Sequence, residues 1–461
     1  MGLVRLRGPG GKQMSGSRIP MGVFALVALS LAMAGSVSAA DVAELGKSLT
    51  PIGAERAGNA EGTIPEWTGG DVKPVKGWQP GDVRVDPYAG DAKLFSIDAS
   101  NVDQYADKLS AGQVAIIKRY DGYRMDIYPS RRSCGYSQQI YKATRANVGV
   151  ARLSEKGGIL DGSGGFLFPL PENGLQAMAN YRTAFTGKYT NLKVNMAVSQ
   201  TGGSYFVNTG IIHTYAPFYE ADAREVDGQY MTKFVYKQTA PAASVGSIIM
   251  TLQPYDNSNE SWVYIPGLRR VKKAPTANYD TPVPGQDDLR TFDQTYMFNG
   301  LPDRYDWKLV GKKEMYIPYN ASRFRAKDVG IADIIKDKYP NRDLARYELH
   351  RVWVVEATVK PGWRNTFSKR VFYLDEDSWT PVVADLYDTK GNLWRFQENH
   401  LFMASEIPAC VSAVDFYHDL NADRYVADNI VIGSGNANYV ADDVVSNDFF
   451  TPDSMRRYGR R

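Results

Sequence analysis

"ARYELHRVWVVEATVK", residues 345–360, decides the fold class. Tyr347, Leu349, Trp353, Val355, Ala357 and Val359 recur at alternate positions, interrupted only by Arg351, while Glu348, His350, Glu356 and Thr358 point the other way. A period of two marks a strand with one face on a core and the other toward water. Three further short runs follow, "RVFYL", "PVVADLY" and "LWRFQE", separated by "DEDS" (Asp375–Ser378) and "DTKGN" (Asp388–Asn392). These separators have turn composition, so Asp375, Glu376 and Asp377 are expected to be exposed. Hairpin after hairpin predicts a large antiparallel sheet whose one-sided strands must cover something apolar.

The same pattern occurs upstream. "GQYMTKFVYKQT" (Gly228–Thr239) sets Tyr230, Thr232, Phe234 and Tyr236 on one face and Lys233 and Lys237 on the other. "SWVYIPGLRRVKKAP" (Ser261–Pro275) places Trp262 and Tyr264 on one face of a short strand, turns at Pro266–Gly267, and continues with Arg269, Arg270, Lys272 and Lys273. Two readings fit: a core strand with a solvated basic hairpin, or an aromatic wall with cations at its mouth, suited to an apolar tail with an anionic head. An outer-membrane barrel is disfavoured by uneven strand spacing, interspersed capped helices and a C-terminus ending in arginine.

Two helices carry start signals. Ser110 with Gln113, and Asn173 with Gln176, have capping-box spacing ahead of apolar stripes that include Val114 and Ile117, and Leu175, Met178, Tyr181 and Phe185. Before them lies "LTPIGAERAGNAEGTIPEWTGG" (Leu49–Gly70), which fits neither helix nor strand. Gly53, Gly58 and Gly62 permit backbone angles closed to other residues, Pro65 stiffens the path, and Trp67 can pin an extended strap to the sheet.

The N-terminus has the layout of an export signal: Arg5, Arg7, Lys12 and Arg18, then the apolar run Met21–Ala34, then small residues with cleavage expected after Ala39 or Ala40. The chain carries a formal net charge of +3. Without the basic leader it stands at about −1, which gives no electrostatic footprint for nucleic acid. Cys134 and Cys410 are the two cysteines. In an oxidising compartment they either pair or stay as separately buried thiols, and a bridge across so long a loop would supply about 5–6 kcal/mol at most.

The catalytic inventory is poor. His213, His350, His400 and His418 are scattered, no C-x-x-C or G-x-S-x-G occurs, and "DFYHDLNADRY" (Asp415–Tyr425) lacks the glycine and terminal glutamate of a calcium loop, which favours a solvated loop there. No catalytic residue, metal or cofactor is assigned.

"LTPIGAERAGNAEGTIPEWTGG", "YDGYRMDIYPSRRS", "FPLPENGLQAMANY", "SWVYIPGLRRVKKAP" and "DFFTPDSMRRYGRR" resemble, in order along the chain, domain-of-unknown-function family 1329. That family comprises exported Gram-negative proteins grouped with the LolA/LolB-like outer-membrane lipoprotein-sorting superfamily. The resemblance implies a mainly β fold with some α, built as a half-open, curved antiparallel sheet around an apolar cavity, with amphipathic helices as a lid. It also implies a periplasmic carrier of lipid, lipoprotein or another amphiphile. A resistance–nodulation–division transporter and an outer-membrane acceptor are plausible partners.

The expected organisation is a cleaved signal over 1–40, a strap with short helices over 41–129, and the β domain over 130–461. Phe234, Tyr236, Trp262, Tyr264, Trp353 and Val355 are the expected apolar wall, with Arg269, Arg270, Lys272 and Lys273 as headgroup ligands. Shielding a sixteen-carbon chain from water requires about 10–13 kcal/mol of methylene burial, so the carrier reading requires an open, oily hollow. Two other classes make different demands. A periplasmic hydrolase of a glycan or ester requires a polar cleft with converging carboxylates, and a ligand-free adaptor a filled sheet interior with an exposed apolar patch.

Overall fold

Tyr347–Val359 is one strand of a 15-stranded sheet. Consecutive strands Tyr305–Pro318, Tyr347–Val359, Lys369–Asp375, Pro381–Tyr387, Leu393–Ala404, Ala409–Asp419 and Arg424–Ile430 pair antiparallel as a C-terminal meander. An N-terminal meander runs through Tyr189–Ser199, Tyr205–Tyr215, Tyr230–Ala240, Ile248–Pro254, Glu260–Ile265 and Arg270–Lys273. The two join where Arg424–Ile430 pairs with Tyr189–Ser199. Phe95–Asp98 and Arg124–Ile127 add a short pair through a parallel bridge from Ile127 to Tyr347. These four-residue strands lie within the region read from sequence as strap and helices, and are too short to show a period. Among the described residues no pairing closes the sheet, and Arg270–Lys273 forms one free edge.

The computed structural model describes residues 39–79, 82, 84–275, 279–432 and 446–460. The expected signal lies outside them, except that Ala39 and Ala40 begin the short helix Ala39–Glu44. Among the described residues no helix is long and apolar enough to cross a membrane.

Both capped helices form. Ala111–Arg119 starts in a complete capping box on Ser110 and Gln113, and in Gly174–Arg182 the Asn173 side chain accepts from the Gln176 N–H. Cys134 and Cys410 are disulfide-bonded, with Cα atoms 5.4 Å apart.

The strap lies against the Asp375–Thr380 hairpin. Trp379 Nε1 donates to the Ile52 carbonyl at 2.9 Å, Arg351 to Ala57 at 3.0 Å, and Arg132 to Glu55 at 2.8 Å and Arg56 at 3.1 Å. Gly53 has φ +91°, and a Cβ there would sit 1.8 Å from the Pro169 carbonyl oxygen, so no other residue fits without moving the backbone. At Gly58 a Cβ would lie 2.5 Å from the Ile64 oxygen, whereas Gly62, at φ +69°, meets open space. Trp67, two residues past Pro65, is buried and donates its indole N–H to the Cys134 carbonyl at 2.9 Å.

Candidate functional site

Directly opposed residues on paired strands share a face, so the register assigns each side chain to one side of the sheet. Phe372, Ala384, Gln397, Tyr417, Val426 and Val198 form one continuous row. Their side is covered by the segment Gln286–Asn299, and is called the inner face. Arg370 ion-pairs with Asp293, Arg395 binds Asp419 at 2.9 Å and Gln294 at 2.8 Å, Gln397 donates to the Met297 carbonyl at 3.0 Å, and Arg290 pairs with Asp428. Under the C-terminal meander the expected oily hollow is therefore filled by the protein's own chain and carries paired charges. Val355, directly opposite Phe372, is fully buried in this packing.

The N-terminal meander differs. Leu192, Ile212, Tyr236, Ile249, Val263 and Lys272 form a second inner-face row, and Phe234 lies in the neighbouring row with Thr214, Thr251 and Ser261. Leu192 and Ile212 are buried, Phe234, Tyr236, Ile249, Thr251 and Val263 only half-buried, and Lys272 exposed. The Tyr236 ring lies flat over Gly210, where a Cβ would meet it at 2.2 Å, and its hydroxyl donates to Gln238 at 3.2 Å. Gln238 donates in turn to Asn208 at 2.8 Å, and Gln253 donates to Asn299 at the end of the filling segment. The result is a half-buried apolar strip, called the trough below, with polar borders and a cation at the free edge of the sheet. Arg270, opposite Ile265, shares this face.

The expected wall is thus divided. Trp262 lies in the outer-face row with Val235 and Met250, and Tyr264 in the next with Lys237 and Ile248. Both rows pack under the C-terminal segment through Phe449, Phe450, Met455 and Tyr458. The lysine face of Tyr230–Ala240, read as solvated, is therefore covered. Lys233 is buried against Asp227 at 2.5 Å, and Lys237 donates to the Tyr458 carbonyl at 2.8 Å. The C-terminal segment, more than 200 residues away, supplies the Tyr458 carbonyl to Lys237 and Asn447 to Lys233 at 3.1 Å, so alternation within the strand could not show the cover. Trp353, two residues before Val355, is on the inner face but away from the trough: its ring stacks on Trp379 at 5.6 Å with the Lys312 ammonium 4.8 Å above it. Of the headgroup candidates, Arg270 and Lys272 reach the trough, Lys273 faces outward toward Glu260 at 3.5 Å, and Arg269 occupies the turn with φ +49°.

Two buried polar clusters escaped the sequence reading. Asp375, Glu376 and Asp377, expected in an exposed turn, are all buried. Arg132 grips both oxygens of Asp377 at 2.8 and 2.7 Å, Glu376 meets Lys312 at 3.1 Å and Arg351 at 3.3 Å, and Tyr319 donates to Asp375 at 3.3 Å. Burial and neighbouring Asp377 push the Asp375 carboxyl up. His350, Asp375 and Asp377 bring candidate ligand atoms within 4.8 Å of one another, but the Arg132 guanidinium already supplies the positive charge there. Glu348 and His350, read as a solvent face, are buried and bond each other at 3.0 Å.

The second cluster centres on Glu398, which has Arg342, His418 and His400 at 3.6, 3.7 and 3.9 Å. Burial raises its carboxyl, but Arg342 and both imidazoles outweigh that effect and hold it well below the usual range. Asp415 and Asp419, assigned from sequence to a solvated loop, are buried on the strand Ala409–Asp419, with Asn421, Ala422 and Asp423 exposed beyond it. The carboxylates of these clusters are all buried. A cleft of about 520 Å³ between the strap and the Phe402–Ser405 segment has Asp71 as the one carboxylate in its lining.

The model of the family described as "Protein of unknown function (DUF1329)" matches residues 96–456. The chain belongs to this family. An uncharacterized protein of Pseudomonas aeruginosa is 39% identical over 452 residues, 95% of this chain and 98% of that one. A DUF1329 family protein from Desulfovibrio piger is 13% identical, with a TM-score of 0.42, over 60% of this chain and 96% of that one. A LolA superfamily protein from Nitrosomonas europaea is 11% identical, with a TM-score of 0.38, over 61% of this chain and 99% of that one.

Proposed function

We propose that this DUF1329 protein is a non-enzymatic periplasmic carrier that lays the tail of a single-chain anionic amphiphile along the inner face of the N-terminal meander. The observation that carries this reading is the row Leu192, Ile212, Tyr236, Ile249, Val263 and Lys272, which runs from buried aliphatic to exposed ammonium across adjacent strands. Strands are about 4.8 Å apart, so the part of the row left open, from Tyr236 to Lys272, spans roughly 14 Å, enough to cover the head-proximal part of an acyl chain with its headgroup at the edge. The trough is open on one side, which suits transient loading and hand-over to an outer-membrane acceptor or a resistance–nodulation–division transporter.

Titration with a fluorescent sixteen-carbon fatty acid below its micelle concentration tests the proposal. Ile249→Asp and Lys272→Glu should each weaken binding at least tenfold. Unchanged affinity in both, or equal binding of an uncharged analogue, would rule the trough out. The filled inner face of the C-terminal meander favours a second reading, a ligand-free adaptor, which predicts no saturable binding at all.

A further inference from the structure

The free edge of the N-terminal meander ends in a corner whose apolar apex the trough does not use. The turn at Ile265–Arg270 touches the Ala242–Ser244 loop region: a Cβ on Gly246 would lie 3.4 Å from Pro266 Cγ and equally close to the Gly459 carbonyl oxygen. Three chain segments therefore meet there. They present Val245, Ile265 and Leu268 to solvent at 47, 36 and 55% exposure, among the most exposed large apolar residues of the described chain. Arg269, Arg270, Lys272 and Lys273 follow directly, and the C-terminal helix Pro452–Gly459 brings exposed Arg457 and Arg460 to the same end. The acids nearby are already matched, Glu260 against Lys273 at 3.5 Å and Asp453 against Arg456 at 2.8 Å.

A chain close to neutral overall thus concentrates cations behind an apolar apex. A basic edge strand alone is a common guard against edge-to-edge pairing. That device does not require exposed leucine, isoleucine and valine in front of the charges. An acidic protein partner or a free anion would use the cations and leave the apex in water. A bilayer uses both, with the aliphatic side chains entering the boundary between headgroups and acyl chains and the cations level with the phosphates.

We propose that this corner is a docking surface for an anionic phospholipid bilayer. Docking stands chiefly on Val245, Leu268 and Arg269, which lie outside the trough, and shares Arg270 and Lys272 with it. Its consequence, that an amphiphile at Lys272 is delivered at the membrane surface, rests on the reading above.

The test is co-flotation of the full mature chain with vesicles of phosphatidylcholine, with and without phosphatidylglycerol. Binding is expected with phosphatidylglycerol, absent with phosphatidylcholine alone, and weakened by salt. Arg269→Glu should reduce it at least fivefold, since each cation near an anionic surface is worth about a fivefold change in affinity. Leu268→Asp should reduce it by a similar factor. Both side chains are exposed, so both variants are expected to fold, and both should keep wild-type affinity for the fatty-acid probe in the absence of vesicles. No binding to phosphatidylglycerol vesicles, or binding that neither variant weakens, overturns the proposal. So does binding lost in Arg269→Glu but retained in Leu268→Asp, which would assign the corner to an acidic protein or a soluble anion. Loss of fatty-acid binding in Ile249→Asp with docking retained leaves the two conclusions separable.

Discussion

Replacing Arg132 by Met should detach the strap. The guanidinium is buried, grips both Asp377 oxygens, and donates to the strap carbonyls of Glu55 at 2.8 Å, Arg56 at 3.1 Å and Pro65 at 3.4 Å. Removing it leaves Asp377 as an uncompensated buried charge, a loss of about 3–5 kcal/mol. Glu376 suffers less because Lys312 and Arg351 remain beside it. Unfolding entropy of roughly 2 cal/mol/K per residue over about 420 residues converts that loss into a Tm decrease of about 3–6 °C. Differential scanning calorimetry measures it, and limited proteolysis should show new cleavage between residues 49 and 70. In the double variant Arg132→Met with Asp377→Leu no buried charge is orphaned, so it should recover about 2 kcal/mol or more relative to the sum of the single changes. A cost under about 1 kcal/mol for Arg132→Met, or strict additivity in the cycle, would show that the buried cluster does not hold the strap.

Gly210→Ala should push the Tyr236 ring off the trough floor, because a Cβ there meets the ring at 2.2 Å; fatty-acid titration should show affinity down about threefold to tenfold, and calorimetry a destabilisation of about 1–3 kcal/mol from overpacking. Burial and Asp428 raise the Asp415 carboxyl to about 7, so the native state keeps this proton longer than the unfolded chain. Its stabilising contribution is complete below pH 3.8 and is lost as pH rises through 7. Asp415→Asn, which mimics the protonated form, should therefore gain on wild type between pH 4 and pH 8 by on the order of 2–4 kcal/mol in urea titrations. Reducing the Cys134–Cys410 bridge, or replacing both cysteines by Ser, should cost about 3–5 kcal/mol and lower the urea midpoint.

The alternation in residues 345–360 was sufficient for a large antiparallel sheet because strand period is a local property. The helix starts at Ser110 and Asn173 were legible for the same reason: a cap and its partner are three residues apart. The export signal expected from composition falls on residues outside those described. What alternation could not supply was the identity of the material covering each face. Trp262 and Tyr264 read like Phe234 and Tyr236, but register across neighbouring strands sends the two pairs to opposite sides, and a C-terminal helix occupies one of them. Likewise Asp375–Asp377 had the composition of a solvated turn, and became a buried anchor because Arg132, Lys312 and Arg351 arrive from other strands and loops.

The sequence by itself determined strand, turn and cap, since each depends on neighbours a few residues away. Only the tertiary structure decided which face is filled, which charges are paired and where an apolar surface is left open. Those outcomes depend on contacts between residues tens to hundreds of positions apart, and a charge or an aromatic ring carries no mark in the sequence of the distant partner that will cover it.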